Sequence, residues 1–167
     1  MEELKVLRTH ERQWKNIVVP AGGKMNLEGV KGNTCELEIN VPAKPAAKRF
    51  GVKVRTSPHE EEATLIYYDA EKKKLCFDSR NSSTSDTEKY VRILEESPLE
   101  LGNDEPLNLR VFVDNAVIEI FANDRQAICR RVYPERTDSV NVVLYSEGGT
   151  TTFAGVKAWR MQPSNAH

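Results

Sequence analysis

"LRVFVDNAVIEIFAND", residues 109–124, is the stretch from which the fold follows. Two alternating apolar runs flank an Asp-Asn dipeptide, the pattern of a tight antiparallel hairpin. With Asn115 and Ala116 as the loop, Asp114 faces Val117, Val113 faces Ile118 and Phe112 faces Glu119. A strand's period of two then sets Leu109, Val111, Val113, Ile118, Ile120 and Ala122 on one face, a core face. Arg110, Phe112, Asp114, Glu119 and Phe121 share the other. There Arg110 lies diagonally within reach of Glu119, a cross-strand ion pair worth roughly 0.2–1 kcal/mol. Asp114 ends its strand and is placed to accept backbone hydrogen bonds in the turn.

Two carboxylates in one hairpin raise the question of hydrolysis. A glycosidase pair needs two carboxyls facing one sugar across about 5 Å or more, in a pocket that raises one pKa. A ribbon of this kind builds no pocket, so Asp114 and Glu119 read as scaffold and no catalytic residue is assigned. Aromatic rings beside charges suit a surface that docks on something: the second sheet, another domain or a partner subunit. Arg110, Phe112, Glu119 and Phe121 are therefore the candidate docking residues.

The rest of the chain continues the alternation. Segments 16–20, 34–41, 49–56, 63–69, 74–78 and 89–94 precede the hairpin, and 127–133, 140–146 and 153–161 follow it, making about eleven strands. Gly, Asn, Asp and Pro stand at the breaks. That spacing predicts an all-β fold, a two-sheet antiparallel sandwich of lectin-like, jelly-roll type. Leu4 and Leu7 allow a helical turn or two at the start, so residues 1–13 read as a linker arriving from another domain and 14–167 as the sandwich. "VPAKPAAKR" (41–49) reads as a loop rather than a domain boundary, and "SRNSSTSDTE" (79–88) as an exposed loop with a glycosylation sequon at Asn81. "SEGG" (146–149) reads as a turn before the last strand.

At 167 residues one domain can bury roughly 70% of its extended-chain surface without staples. Lys plus Arg number 24 against 25 Asp plus Glu, which offers no basic field for nucleic acid and no acidic excess for cations. The runs "HEEEA" and "EKKKL" read as solvated loop edges. Cys35, Cys76 and Cys129 are an odd set without a close pair, and read as buried small hydrophobes. His10, His59 and His167 lack ligand spacing, so neither a metal nor another cofactor is expected. Trp14, Tyr67, Tyr68, Tyr145 and Trp159 read as core packing rather than sugar platforms. No run approaches membrane-spanning length, and the compartment is left open because a fragment of a longer protein hides its own targeting signal. No nucleophile-elbow serine, Walker glycine loop or zincin motif occurs.

"LNLRVFVDNAVIEIFAND", followed by "ICRRVYP" and closed by "VKAWRM", resembles the C-terminal β-sandwich domain of glycoside hydrolase family 32. That family comprises the invertases, levanases, inulinases and sucrose-6-phosphate hydrolases. "EELKVLR", "FGVKVRTSP" and "IYYDAEKKKLCFDSR" extend the likeness over nearly the whole chain. Ala116 departs from it, standing where the family often has a hydroxyl residue, and "FDSRNSS" around Arg80 is loosely spaced against the family's Asp and Arg cluster. The resemblance implies a retaining hydrolysis run by an Asp and a Glu on an N-terminal five-bladed propeller. The propeller's Asn-Asp-Pro-Asn, Arg-Asp-Pro and Glu-Cys motifs are missing here: Asn103-Asp104 is followed by Glu105, and Glu36 follows Cys35. What is expected is thus a non-catalytic domain that supports a propeller of the same polypeptide, with homodimerisation and contact with fructan or sucrose as further roles. An autonomous carbohydrate-binding module for fructans is the competing expectation, and a protein-interaction sandwich unrelated to sugar is a third.

Overall fold

The computed structural model describes residues 2–88 and 90–163. A short 3-10 helix, Glu2–Leu7, leads into twelve strands arranged as two six-stranded sheets. The first sheet runs in the order β1 (Arg8–Val19), β12 (Thr151–Met161), β3 (Thr34–Val41), β8 (Leu107–Asp114), β9 (Val117–Ala122) and β10 (Gln126–Arg131). The second runs β2 (Lys24–Asn26), β11 (Asn141–Glu147), β4 (Arg49–Thr56), β5 (Thr64–Asp69), β6 (Lys74–Asp78) and β7 (Leu94–Pro98). Neighbouring strands pair antiparallel throughout, and the chain is the all-β sandwich its alternation predicts. No helix among the described residues is long and apolar enough to cross a membrane.

The hairpin has the expected register, with Asp114 opposite Val117, Val113 opposite Ile118 and Phe112 opposite Glu119. Asn115 takes the turn at φ 50, a conformation that Asn tolerates better than most residues. All six residues of the predicted inward set are at most 2% exposed. They meet Phe50, Val52, Ile66, Phe77 and Leu144 of the second sheet in one core. The next turn places Asn123 and Asp124 both at positive φ, as a tight hairpin turn demands. Asn123 fastens that turn to the loop before β8, donating to the Pro106 carbonyl at 2.8 Å and accepting from the Asn108 amide at 2.7 Å.

Several expectations need correction. The first strand begins at Arg8 rather than 16, because the polar segment 8–15 pairs with β12 as a charged edge strand. β2 is an unforeseen short strand. The strand expected over 89–94 lies instead at Leu94–Pro98, where Leu94 faces Asp78 and Pro98 faces Lys74; Lys89 is outside the described residues. Ser79 fixes that return by exchanging hydrogen bonds with Ile93 at 2.9 and 3.0 Å. The loop 79–88 is not simply exposed, since Ser79, Ser82 and Ser83 are buried. Tyr67, Tyr68, Tyr145 and Trp159 are buried, but Tyr67 and Tyr145 sit with Cys76 in a separate cluster on the outer side of the second sheet. Burial pushes the Cys35 and Cys76 thiols up to about 12 and about 11, whereas Cys129 is exposed on β10, an edge strand. His167 lies outside the described residues.

Candidate functional site

Successive residues of β3 alternate between the core and the outer face of the first sheet, and Glu36 points outward yet is fully buried. It lies opposite Phe112 on one side and Trp159 on the other. A carboxylate removed from water in this way needs matched charge. Arg8 supplies it with Nε to Oε2 at 2.8 Å and Nη2 to Oε1 at 2.6 Å, and Arg110 adds Nε to Oε1 at 2.7 Å. Arg8 also lies 4.0 Å over the Trp159 ring, whose indole donates to Glu11 at 2.9 Å. Three strands are thereby joined on one face by charge.

The ion pair expected between Arg110 and Glu119 is replaced by this one. Glu36 and Glu119 are both diagonal neighbours of Arg110, but Glu36 is buried and Glu119 only half-buried, so the drier carboxylate attracts the cation more strongly. The four docking candidates do share one face. Arg110 lies 5.0 Å over the Phe112 ring, and Phe112 and Phe121 meet edge to face at 6.1 Å and 87°. Asp114 is exposed and accepts from the Asn115 side-chain amide at 3.2 Å.

Two grooves flank these residues, where the sequence had pointed to none. Phe112, Asp114 and Glu119 border one of about 670 Å³ beneath Leu4 and Leu7 of the 3-10 helix. Arg110 and Phe121 border the other, about 480 Å³, with Glu38, Asn40, Asn108 and Lys157.

A second buried carboxylate escaped the sequence reading. Glu62, in a run expected to be solvated, is fully buried and accepts from five donors. These are the Thr84 amide and hydroxyl at 2.9 and 3.0 Å, the Glu135 and Arg136 amides at 2.7 and 3.2 Å, and the Ser139 hydroxyl at 2.6 Å. Burial pushes this carboxyl up, but the hydrogen bonds from Ser139, Thr84, Glu135 and Arg136 outweigh it and its pKa lies below the ordinary value. Arg80, whose role was open, forms a two-pronged pair with Asp78 at 3.0 and 2.8 Å. Glu36 and Glu62 hold structure: each is buried beyond reach of a substrate, and their oxygens are already engaged.

A face of aromatics and paired charges between grooves thus lies on a two-sheet, lectin-like sandwich domain. The chain belongs to the family described as "Glycosyl hydrolases family 32 C terminal", whose model matches residues 3–160. It is 33% identical over 153 residues to the levanase of Bacillus subtilis (strain 168), covering 89% of this chain and 22% of that protein. The crystal structure of fructan 1-exohydrolase IIa from Cichorium intybus superposes with a TM-score of 0.84 at 16% identity, over 99% of this chain and 38% of that one. Galectin LEC-6 of Caenorhabditis elegans shares the fold at TM-score 0.59 and 14% identity, over 90% of this chain and 96% of its own. The chain spans about a fifth of the length of the curated relatives it matches first, 22%, 18% and 22%.

Two predictions follow from the buried carboxylates. Glu36→Gln removes the buried carboxylate that Arg8 and Arg110 share, leaving Arg8 its more exposed pairing with Glu38 at 3.0 Å, and should cost about 3 kcal/mol in urea unfolding. Combined with Arg8→Ala it should be less than additive by about 1 kcal/mol or more; full additivity would dissolve the cluster as a unit. Because the folded pKa of Glu62 lies below its unfolded value of about 4.3, its stabilisation is present above that pH and is lost as pH falls through the folded pKa. Glu62→Gln should therefore flatten the acid limb of a melting-temperature profile taken between about pH 7 and pH 3.

Proposed function

We propose that the chain is the non-catalytic C-terminal sandwich of a fructose-releasing glycoside hydrolase, docked on an N-terminal catalytic propeller of the same polypeptide. One observation carries this reading: the family match covers the chain from residue 3 to 160, yet the chain accounts for only about a fifth of relatives such as the levanase. The docking face is the outer side of the first sheet, where Phe112 and Phe121 stand half-buried between grooves. Rings that already shed much of their water, fixed edge to face, lose little freedom on meeting a partner. Residues 1–13 lead in from that partner, with 8–13 already forming the edge strand β1 of the sandwich.

The isolated chain at micromolar concentration should release no fructose from sucrose, levan or inulin; turnover would end the reading. In the polypeptide that carries both domains, Phe112→Ala with Phe121→Ala should split one melting transition into two. A single undisturbed transition would remove this face from the interface, and sedimentation of the isolated chain as a dimer that the same changes abolish would assign it to a second copy.

The groove beside Phe121 favours a second use, contact with fructan. It combines one aromatic ring with the Asn40 and Asn108 amides, which hydrogen-bond to each other at 2.5 Å, and with Glu38 and Lys157, a donor and acceptor set suited to sugar hydroxyls. Retardation of the chain in a native gel containing levan, abolished by Phe121→Ala, would promote that use; unretarded migration would remove it.

A further inference from the structure

Cations on this surface are commonly matched by nearby carboxylates. Lys72 and Lys74 share Glu96, Arg125 meets Glu105, Arg130 meets Glu95 and Arg136 meets Asp138. Lys15, Lys44, Arg131 and Lys157 make no such pair among the described residues, each in a different part of the sequence, and one place gathers several unmatched cations together. At the free edge of β1, a cavity of about 270 Å³ is lined by His10, Arg12, Lys31 and Arg160, with Gly29 and Trp159, and among the described residues no carboxylate contributes to its lining. Among the described residues, none of these four basic side chains makes a hydrogen bond or an ion pair. Of the acids adjacent in sequence to the lining residues, Glu11 accepts from the Trp159 indole and Glu28 from the Asn26 side-chain amide.

The backbone builds the cavity deliberately. β1 is bulged between Thr9 and Arg12, with His10 at φ 51, and a bulge on an edge strand re-aims the side chains beside it. The Thr9 hydroxyl donates to the Arg160 carbonyl at 3.1 Å and pins the bulge to β12. The opposite wall is the loop between β2 and β3, held to the second sheet by Leu27 and Gly32 amides donating to Val142 and Val140 at 2.8 and 2.9 Å. Gly29 stands in that loop at φ 78, and a Cβ there would come within 2.5 Å of the Arg12 guanidinium carbon. The glycine therefore serves the turn and leaves the guanidinium its place against the loop.

Unmatched like charges held together repel, and an oxyanion relieves that repulsion while accepting charge-assisted hydrogen bonds. The lining donors come from β1, from β12 and from the loop, and a tetrahedral anion offers acceptor oxygens to more of them than a planar carboxylate does. We infer that this pocket binds a phosphate-class dianion, either inorganic phosphate or the phosphate group of a sugar monoester. The site lies at the sheet's edge and uses none of the four docking candidates Arg110, Phe112, Glu119 and Phe121.

The test is a titration of the 167-residue chain with inorganic phosphate at constant ionic strength, followed by backbone amide NMR. Saturable shifts are expected at residues 29–31 and 158–160, with none at Asn40 or Phe121. Arg12→Ala and, separately, Arg160→Gln should each weaken binding about tenfold, the loss of one charge-assisted hydrogen bond, whereas Arg131→Gln, an exposed cation elsewhere, should leave it unchanged. If Arg12→Ala fails to fold, Arg160→Gln decides. A parallel titration with glucose 6-phosphate separates the sources: tighter binding than inorganic phosphate assigns the pocket to a monoester, and equal binding assigns it to the free ion. Shifts that never saturate, that chloride reproduces, or that survive both substitutions would overturn the inference.

Discussion

A carboxylate buried as fully as Glu36 demands matching charge, and the match here shapes an entire sheet face. Arg8 is the first residue of β1, so the demand from β3 holds the start of an edge strand that propensity alone would leave polar and frayed. Once in place, Arg8 covers Trp159 and closes that side of the face. Arg110 is drawn the other way, onto Phe112 and Glu36, which leaves Glu119 at the edge of a groove. The charge pattern of this outer face is thus a by-product of satisfying one interior carboxylate.

Glu62 solves the same problem with different partners and a different result. Its donors are two hydroxyls and three backbone amides, drawn from the segments around Thr84, Glu135 and Ser139. Where Glu36 joins strands, Glu62 joins loops, and loops are where a sandwich holds most of its residual freedom. Tying three polar segments to one carboxylate leaves Ser82 and Ser83 buried in a stretch whose composition reads as exposed. The low pKa of Glu62 records that the negative form is the one these donors prefer.

The sequence disclosed what is local and hid what is not. The 109–124 hairpin was legible to the residue because alternation, turn chemistry and register all act within a few positions, and all six inward residues are buried. Glu36 was hidden because nothing in "TCELEINV" announces an arginine arriving from position 8 and another from position 110; the outward parity was readable, the burial was not. β7 was hidden for a related reason. "LEESP" has little of a strand's composition, and it becomes one because β6 offers an open edge after a loop of fixed length. The docking candidates occupy an intermediate position: their shared face follows from period two, while the grooves beside them depend on the 3-10 helix and on β12.

The two outer faces of the sandwich differ in a way that bears on which one meets a partner. On the second sheet Gly51 stands between Tyr145 and Tyr67, and the two rings approach edge to face at 6.5 Å across the strand it leaves bare. Both tyrosines are nearly inaccessible, and burial pushes the Tyr67 hydroxyl up to about 12. Lys53 lies over Tyr145 and Arg49 over Tyr67, and those cations are in turn paired with Glu60 and Asp69. That face has closed over its own aromatics and matched these charges, so a partner arriving there would displace interactions already made. On the first sheet Phe112 and Phe121 remain half-buried between grooves, and Glu119 stands at the rim. Association gains most where apolar surface is fixed in place but still wet, and that physical difference is what supports the proposal of the first sheet as the docking side.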